Sequence, residues 1–295
     1  MRVRPPTARE ASGGGCCVAV SGGKVQVTPG GGASALSFEF EAAWNERATQ
    51  DDVANRVSHQ VERVLGGYNA AILMYGQSGT GKTYTMGTNH QALAQPSAEG
   101  LVPRLVSKLF ASFPSADGSH RVTLTIVEIY KERIRDLLCP SRDNLAIHEG
   151  ERGTYVGDAT TVQVQNSVEV LHWVGEALQS RAVGSTLLNT DSSRSHLVLT
   201  LTVEVGDTVG KLLFVDLAGS EKVKRTGATG SLLTEASAIN KSLSALGNVI
   251  AALTSNAAAG DAGTPAAVVP FRDSKLTRLL KECLSGSAFT TLISA

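Results

Sequence analysis

The stretch GYNAAILMYGQSGTGKTYTMG, residues 67–87, decides how the rest of the chain is read. Residues 76–83 within it match G-x-x-x-x-G-K-[ST] in full. The apolar run at 70–75 just ahead of them is the strand such a loop requires. Gly76, Gln77, Ser78, Gly79, Thr80 and Gly81 form the loop, whose glycines let the backbone wrap a β-phosphate with N–H groups pointing inward. Lys82 then reaches the β- and γ-phosphates, the Thr83 hydroxyl ligates Mg²⁺, and the helix starting there turns its positive dipole end to the anion.

Such a site has a second requirement, an acidic residue at the end of a neighbouring apolar strand to hold the metal through water. LLFVD at 212–216 provides an apolar run ending in Asp216, followed by Leu-Ala-Gly219. A glycine so placed can give its N–H to a γ-phosphate. Many strands end in Asp, so this run carries weight only together with the phosphate loop.

Composition narrows the class further. The 295 residues, 42% of them hydrophobic, suffice for a substantial core. Lysine plus arginine and aspartate plus glutamate number 27 each, so no global basic field points to nucleic acid. Cys16, Cys17, Cys139 and Cys283 form no C-x-x-C pair, which predicts neither a zinc site nor a disulfide framework and suits a reducing compartment. No apolar run approaches the roughly 20 residues that span a bilayer. MRVRPP lacks the apolar core of a secretion signal. A soluble, cytosolic protein is expected.

Along the chain, residues 11–15, 22–24, 29–34 and 255–265 read as loops, and CCVAV with KVQV predicts a small hairpin near the N-terminus. Val53, Val57, Val61 and Leu65 recur every four residues, predicting one amphipathic helix over 51–65, started by Asp51 or Asp52 and ended by Gly66. Residues 122–130 read as a strand continuing into a helical turn at 132–138. Ile239, Leu243, Leu246 and Ile250 place a helix over 232–253. Strands alternating with helices, with no repeat and no long linker, predict one α/β domain.

Six blocks together resemble the kinesin motor domain: residues 67–87, EIYKERIRDLL at 128–138, NTDSSRSH at 189–196, DLAGSE at 216–221, NKSLSALGNVI at 240–250 and VPFRDSKLTRLL at 269–280. They fall in the family's order over nearly the whole chain. GSEKV and NLAIHE look like the conventional heavy-chain branch. The resemblance implies a P-loop NTPase fold, with a central mixed, mostly parallel β-sheet flanked by helices on both faces. It implies a microtubule-dependent ATPase using ATP and Mg²⁺, located in the cytoplasm on the microtubule cytoskeleton. Tubulin is the implied partner, with no nucleic acid and no direct membrane contact. The parent protein is expected to dimerise through a coiled coil that this chain does not include.

Residue roles follow from the same resemblance. Arg2, Arg4 and Pro5 match the R-x-R-P that flanks the adenine, and Tyr84 the residue that stacks on it. Residues 189–196 match the first switch segment, with Ser193 joining Mg²⁺ coordination and Ser192 near the attacking water. Residues 216–221 match the second switch, with Gly219 sensing the γ-phosphate and Glu221 pairing with Arg194 to close the site. Tubulin is acidic, and residues 211–281 carry nine Lys or Arg against five Asp or Glu. Lys222, Lys224, Arg225, Lys241, Arg272, Lys275 and Arg278 are the expected microtubule contacts, the last three along one side of a helix.

The ends depart from the family. Met1 falls inside the expected first strand, LSGSAF at 284–289 replaces an LGGN pattern, and TTLISA stops short of the terminal helix and neck linker. A motor domain over 1–295 lacking those pieces is the expectation, and the alternative is a microtubule-binding module with weak or uncoupled ATPase. A different P-loop NTPase is disfavoured by the two switch motifs.

Overall fold

In the computed structural model the apolar run before the phosphate loop is a strand whose side chains alternate between two cores. Ala70, Ile72 and Met74 enter one and Ala71 and Leu73 the other, all at most 1% exposed. The structure describes residues 1–12, 17–28, 34–89, 99–113, 120–150, 153–188, 192–221, 231–260 and 267–295.

A short helix α1 (Ala8–Ser12) precedes β1 (Val18–Ser21), β2 (Lys24–Val27) and β3 (Leu36–Glu39), which pair as a small antiparallel sheet. The expected N-terminal hairpin is its first half. Next come α2 (Gln50–Val57), α3 (His59–Leu65), β4 (Asn69–Tyr75), α4 (Lys82–Met86) and α5 (Leu101–Ala111). Strands β5 (His120–Tyr130), β6 (Arg133–Asp136), β7 (Ile147–Gly150), β8 (Gly153–Val156) and β9 (Val162–Val164) lead to α6 (Ser167–Leu188). The chain continues through β10 (His196–Val205), β11 (Thr208–Asp216), α7 (Ser231–Gly260), α8 (Lys275–Leu279), α9 (Lys281–Leu284) and β12 (Ala288–Ser294).

The central sheet runs β12-β4-β11-β10-β5-β6, with β9 also on β5. It is mixed, with helices on both faces, as expected. The expectation that it is mostly parallel is corrected: among the described residues only β12–β4 and β4–β11 of this sheet pair in parallel, while β10 meets β11 and β5, and β5 meets β6 and β9, antiparallel. The physical reason is connection length. Val205 and Thr208 are cross-strand partners, so β10 and β11 are joined by a two-residue turn that can only reverse the chain. One face of the sheet packs on α2, α3, α5 and α6. The other packs on α7, α8 and α9 through Leu246, Leu276, Leu279, Leu280 and Cys283.

Four local expectations change. The helix over 51–65 divides at Ser58, whose hydroxyl bonds back to Asn55 O, and its cap is Thr49 in a reciprocal capping box with Asp52. The helical turn at 132–138 is instead the return strand β6. Lys131 and Glu132 adopt φ of 49° and 59°, and two successive left-handed residues close a tight hairpin with Tyr130 opposite Arg133. Residues through Gly260 continue α7 where a loop was expected. The inward stripe of α7 is Ser242, Ala245, Leu246 and Val249, while Ile250 is exposed.

Phe214 sits on β11 between Leu199 and Ile72 in the sheet register and is 1% exposed. Phe214→Ala is expected to lower unfolding stability by about 3–5 kcal/mol, read as a lower urea midpoint at unchanged slope.

Candidate nucleotide-binding site

The parallel pairing of β4 with β11 places Asp216 beside Met74, so both strands end at the same edge. The loop that leaves β4 there is closed by glycine. Gly76 has φ of 151°, and a Cβ on it would lie 2.2 Å from the carbonyl oxygen of Ala295. Gly81 has φ of 100° and leads directly into α4. Thr80 folds back, its hydroxyl bonding Gln77 O at 2.8 Å, and Gly79 has φ of 79° with open space around its Cα. Gln77, Ser78 and Gly79 are exposed at the mouth of the loop.

Lys82 is 7% exposed, and its ammonium donates to the carbonyls of Gly76 (2.9 Å) and Gln77 (2.8 Å). Burial lowers its pKa, opposed by the charges of Asp216 and Glu221. The Thr83 hydroxyl donates to Asp216 Oδ2 at 2.7 Å. The other oxygen of that carboxylate, Oδ1, is buried with no hydrogen-bond partner among the described residues. Burial pushes the Asp216 pKa up, against the Thr83 bond, the positive charges of Arg181 and Lys82, and the nearby Thr88 hydroxyl, which is buried and itself outside hydrogen-bond geometry with any described residue. A hydroxyl beside a carboxylate with an orphaned oxygen is the hard-oxygen donor set a magnesium ion takes. The residues present therefore fit the metal.

The two switch segments meet through the backbone. Ser192–Arg194 form a single 3₁₀ turn, and the N–H of Gly219 donates to Ser193 O at 2.7 Å. Ser220 N–H donates to Gly76 O at 3.1 Å, tying the second switch to the phosphate loop. Glu221 accepts from the N–H of Ser78 at 2.9 Å and, in a short bond, from its hydroxyl. Partial burial raises the Glu221 pKa, but these Ser78 bonds and Lys82 outweigh it and hold the group below its usual value. Gly219 backs onto this contact: a Cβ there would lie 2.3 Å from Glu221 Oε2 and 2.4 Å from Ser78 Oγ. Among the described residues no ion pair joins Glu221 to Arg194. Residues 189–191 and the side chain of Ser192 lie outside the described residues.

Around the expected adenine clamp, the Arg2 guanidinium is buried and donates to Gln50 (2.5 Å), Thr85 (2.9 Å) and Ala48 O (3.3 Å). It lies 5.4 Å from the centre of the half-exposed Tyr84 ring. Arg2 thus braces Tyr84 and the start of α2. Arg4 bonds Gly79 O at 2.8 Å and holds Glu10, whose pKa its hydrogen bond lowers to about 2. Pro5 is exposed beside it.

Two buried clusters behind the switches escaped the sequence reading. Arg181 of α6 donates to Glu128 of β5 at 3.1 Å and to Ser195 O and Oγ, and Ser195 Oγ donates to Glu128 at 2.6 Å. A glutamate inside the apolar run IVEIY was the available signal, since a buried charge requires a partner. His196 bonds Ala218 and Ser242, linking β10, the second switch and α7.

The basic positions divide. Lys241 and Arg272 are exposed. Lys275 donates its backbone N–H to Glu132 at 2.7 Å and its ammonium to Leu145 O at 3.0 Å, so its charge turns inward. Arg278 is partly buried. The expected single helix side for Arg272, Lys275 and Arg278 is corrected. Arg272 lies in a separate 3₁₀ turn, and Ser274, capped against Thr277, starts α8 between them. Lys222, Lys224 and Arg225 lie outside the described residues.

Comparison with known proteins agrees with this geometry. The kinesin motor domain family model matches residues 2–295. The chain is 41% identical to a kinesin heavy chain of Gibberella moniliformis over 99% of this chain and 31% of that protein. It is 44% identical to the kinesin-like protein KIN-1 of Oryza sativa subsp. japonica over 87% of this chain and 54% of that protein. It thus spans about a third to a half of these two relatives. A solved structure of a fast kinesin superposes with a TM-score of 0.86 at 42% identity, over 99% of this chain and 83% of that one. The chain belongs to the kinesin motor domain family, built on the P-loop NTPase fold.

Proposed function

We propose that this chain is a motor domain that hydrolyses MgATP and is stimulated by microtubules. The observation that carries the reading is the Thr83–Asp216 bond with its orphaned carboxylate oxygen beside Lys82, tied to the switch segments through Ser193 and Gly219. Gly76–Gly81 and Lys82 hold the β- and γ-phosphates, Arg4, Pro5 and Tyr84 border the adenine, and Arg2 braces Tyr84. Thr83 and Ser193 ligate the metal and Asp216 holds it through water. When bound, Mg²⁺ neutralises charge on the β- and γ-phosphates.

Hydrolysis in such a site is positioning and electrostatics. Ser192 orients the water that attacks the γ-phosphorus; the bond to the β–γ bridging oxygen breaks, ADP leaves, and the water's proton passes to the released phosphate. In the state described, Ser78 holds Glu221. On closure the carboxylate exchanges Ser78 for Arg194, which seals the site from bulk water. Gly219 N–H, now on Ser193 O, turns to the γ-phosphate, so ATP and ADP differ at the segment leading to α7. Lys222, Lys224, Arg225, Lys241, Arg272 and Arg278 are the basic residues that would meet the track, and Lys275 braces α8 on the β5–β6 hairpin.

Steady-state ATP turnover with and without paclitaxel-stabilised microtubules tests the reading. Strong stimulation supports a motor domain, whereas binding without stimulation leaves the tethering module with uncoupled ATPase. Glu221→Ala and Arg194→Ala are each expected to keep ATP binding and to lower hydrolysis about 100-fold or more, with the double variant no worse than either. Wild-type turnover in Glu221→Ala refutes the gate. Asp216→Asn is expected to weaken Mg²⁺ dependence of nucleotide retention by about 10–100-fold, read by titrating EDTA against release of a fluorescent ADP analogue.

A further inference from the structure

His196 opens β10 and is 2% exposed, with its backbone opposite Ile129 of β5. Its ring bonds two elements, the second switch and α7. Nδ1 accepts the backbone N–H of Ala218 at 3.0 Å. A ring nitrogen that accepts carries no proton, so the proton of the neutral imidazole sits on Nε2. Nε2 then donates to Ser242 Oγ, 2.8 Å away on the buried stripe of α7. Burial, then the positive charges of Arg181 and Lys82, hold the imidazole pKa down to about 3, so the ring is neutral and this tautomer persists across physiological pH.

Position gives the arrangement its meaning. Ala218 immediately precedes Gly219, whose N–H is bonded to Ser193 O. Ser242 immediately follows Lys241, an exposed cation on α7. The neighbouring Ser195 is locked to the core by Arg181 and Glu128, which fixes the backbone from which the imidazole projects. The ring is rigid. Displacement of Ala218 as the switch moves must therefore shift Ser242 or break one of the two bonds. The covalent route between the same elements passes through residues 222–230, so the imidazole is a second, shorter connection.

Resting on the motor-domain reading above, we propose that His196 is a positioning residue that transmits the state of the γ-phosphate-sensing turn to α7 through Ala218 and Ser242. The ring is buried and both its nitrogens are taken by protein partners. It sets how far occupancy of the track face accelerates turnover, and reciprocally how far nucleotide state alters α7.

Ser242→Ala and His196→Asn cut the same bond from its two ends. The Asn amide oxygen stands near the place of Nδ1 and keeps the Ala218 bond, but the shorter side chain falls short of Ser242. Both variants of this chain and their combination are assayed for turnover with and without microtubules, with thermal melting as the check on folding. The ratio of stimulated to basal turnover is expected to fall about 5- to 10-fold in each single variant, with basal turnover near wild type in Ser242→Ala, and no further in the double. A merely structural role would lower basal and stimulated turnover together. A wild-type ratio in Ser242→Ala overturns the proposal even if His196→Asn fails to fold, and so do multiplicative effects in the double variant. Hydrogen exchange of residues 242–250 in ADP and in a non-hydrolysable ATP analogue separates this inference from the reading beneath it. If the unmodified chain shows no microtubule stimulation, the motor reading fails. The relay still stands if α7 exchange differs between nucleotides and that difference is lost in Ser242→Ala, and it falls if the difference is unchanged.

Discussion

The parallel pairing of β4 with β11 is the constraint on which the site depends. It sets Asp216 against Met74, so the phosphate loop leaving one strand and the acidic switch leaving the other emerge at one edge. Every functional distance follows from that register. Thr83 can reach Asp216, Ser220 can reach Gly76, and Glu221 can reach Ser78 because the two loops start side by side. A slip of one residue would turn Ile72 and Phe214 out of one core and Leu73 and Leu213 out of the other. Core packing on both faces therefore protects the geometry of the site.

Around this edge the charges are arranged so that each has a partner, with one exception. Lys82 is bonded to loop carbonyls, Arg181 to Glu128 and Ser195, and Glu221 to Ser78. His196 remains neutral between two backbone-anchored elements. The exception is Asp216 Oδ1, whose pKa is raised by burial and which finds no protein donor among the described residues. A buried acceptor left open is unfavourable in isolation, and under the proposed function a metal-bound water would satisfy it. Stability and function meet at that oxygen.

Local patterns were legible and non-local pairing was not. The phosphate loop, β4, β11 and the core of α7 carry their information within a few residues, as glycine spacing, an apolar run or a helical stripe. The β5–β6 hairpin was missed because Lys131 and Glu132 take left-handed conformations without the Asn or Gly that normally announces such a turn. Three-residue spacing of Arg272, Lys275 and Arg278 looked like one helix face because Ser274 did not stand out as a cap. The antiparallel half of the sheet depends on which strands meet, and alternation alone is silent on that. In the site, the loop residues and Asp216 were readable as chemistry. The Ser78–Glu221 contact and the His196 bridge join residues 143 and 46 positions apart, and no spacing rule exposes them.

The proposed motor function requires the nucleotide site and the basic positions to be one coupled system, joined where Ser193 meets Gly219 and His196 meets α7. Reciprocity makes this measurable from the nucleotide side. The most direct measurement is release of a fluorescent ADP analogue from the purified chain, followed by stopped flow with and without microtubules. Saturating microtubules are expected to accelerate release by about tenfold or more. An unchanged release rate, in a chain that co-sediments with microtubules, would contradict it.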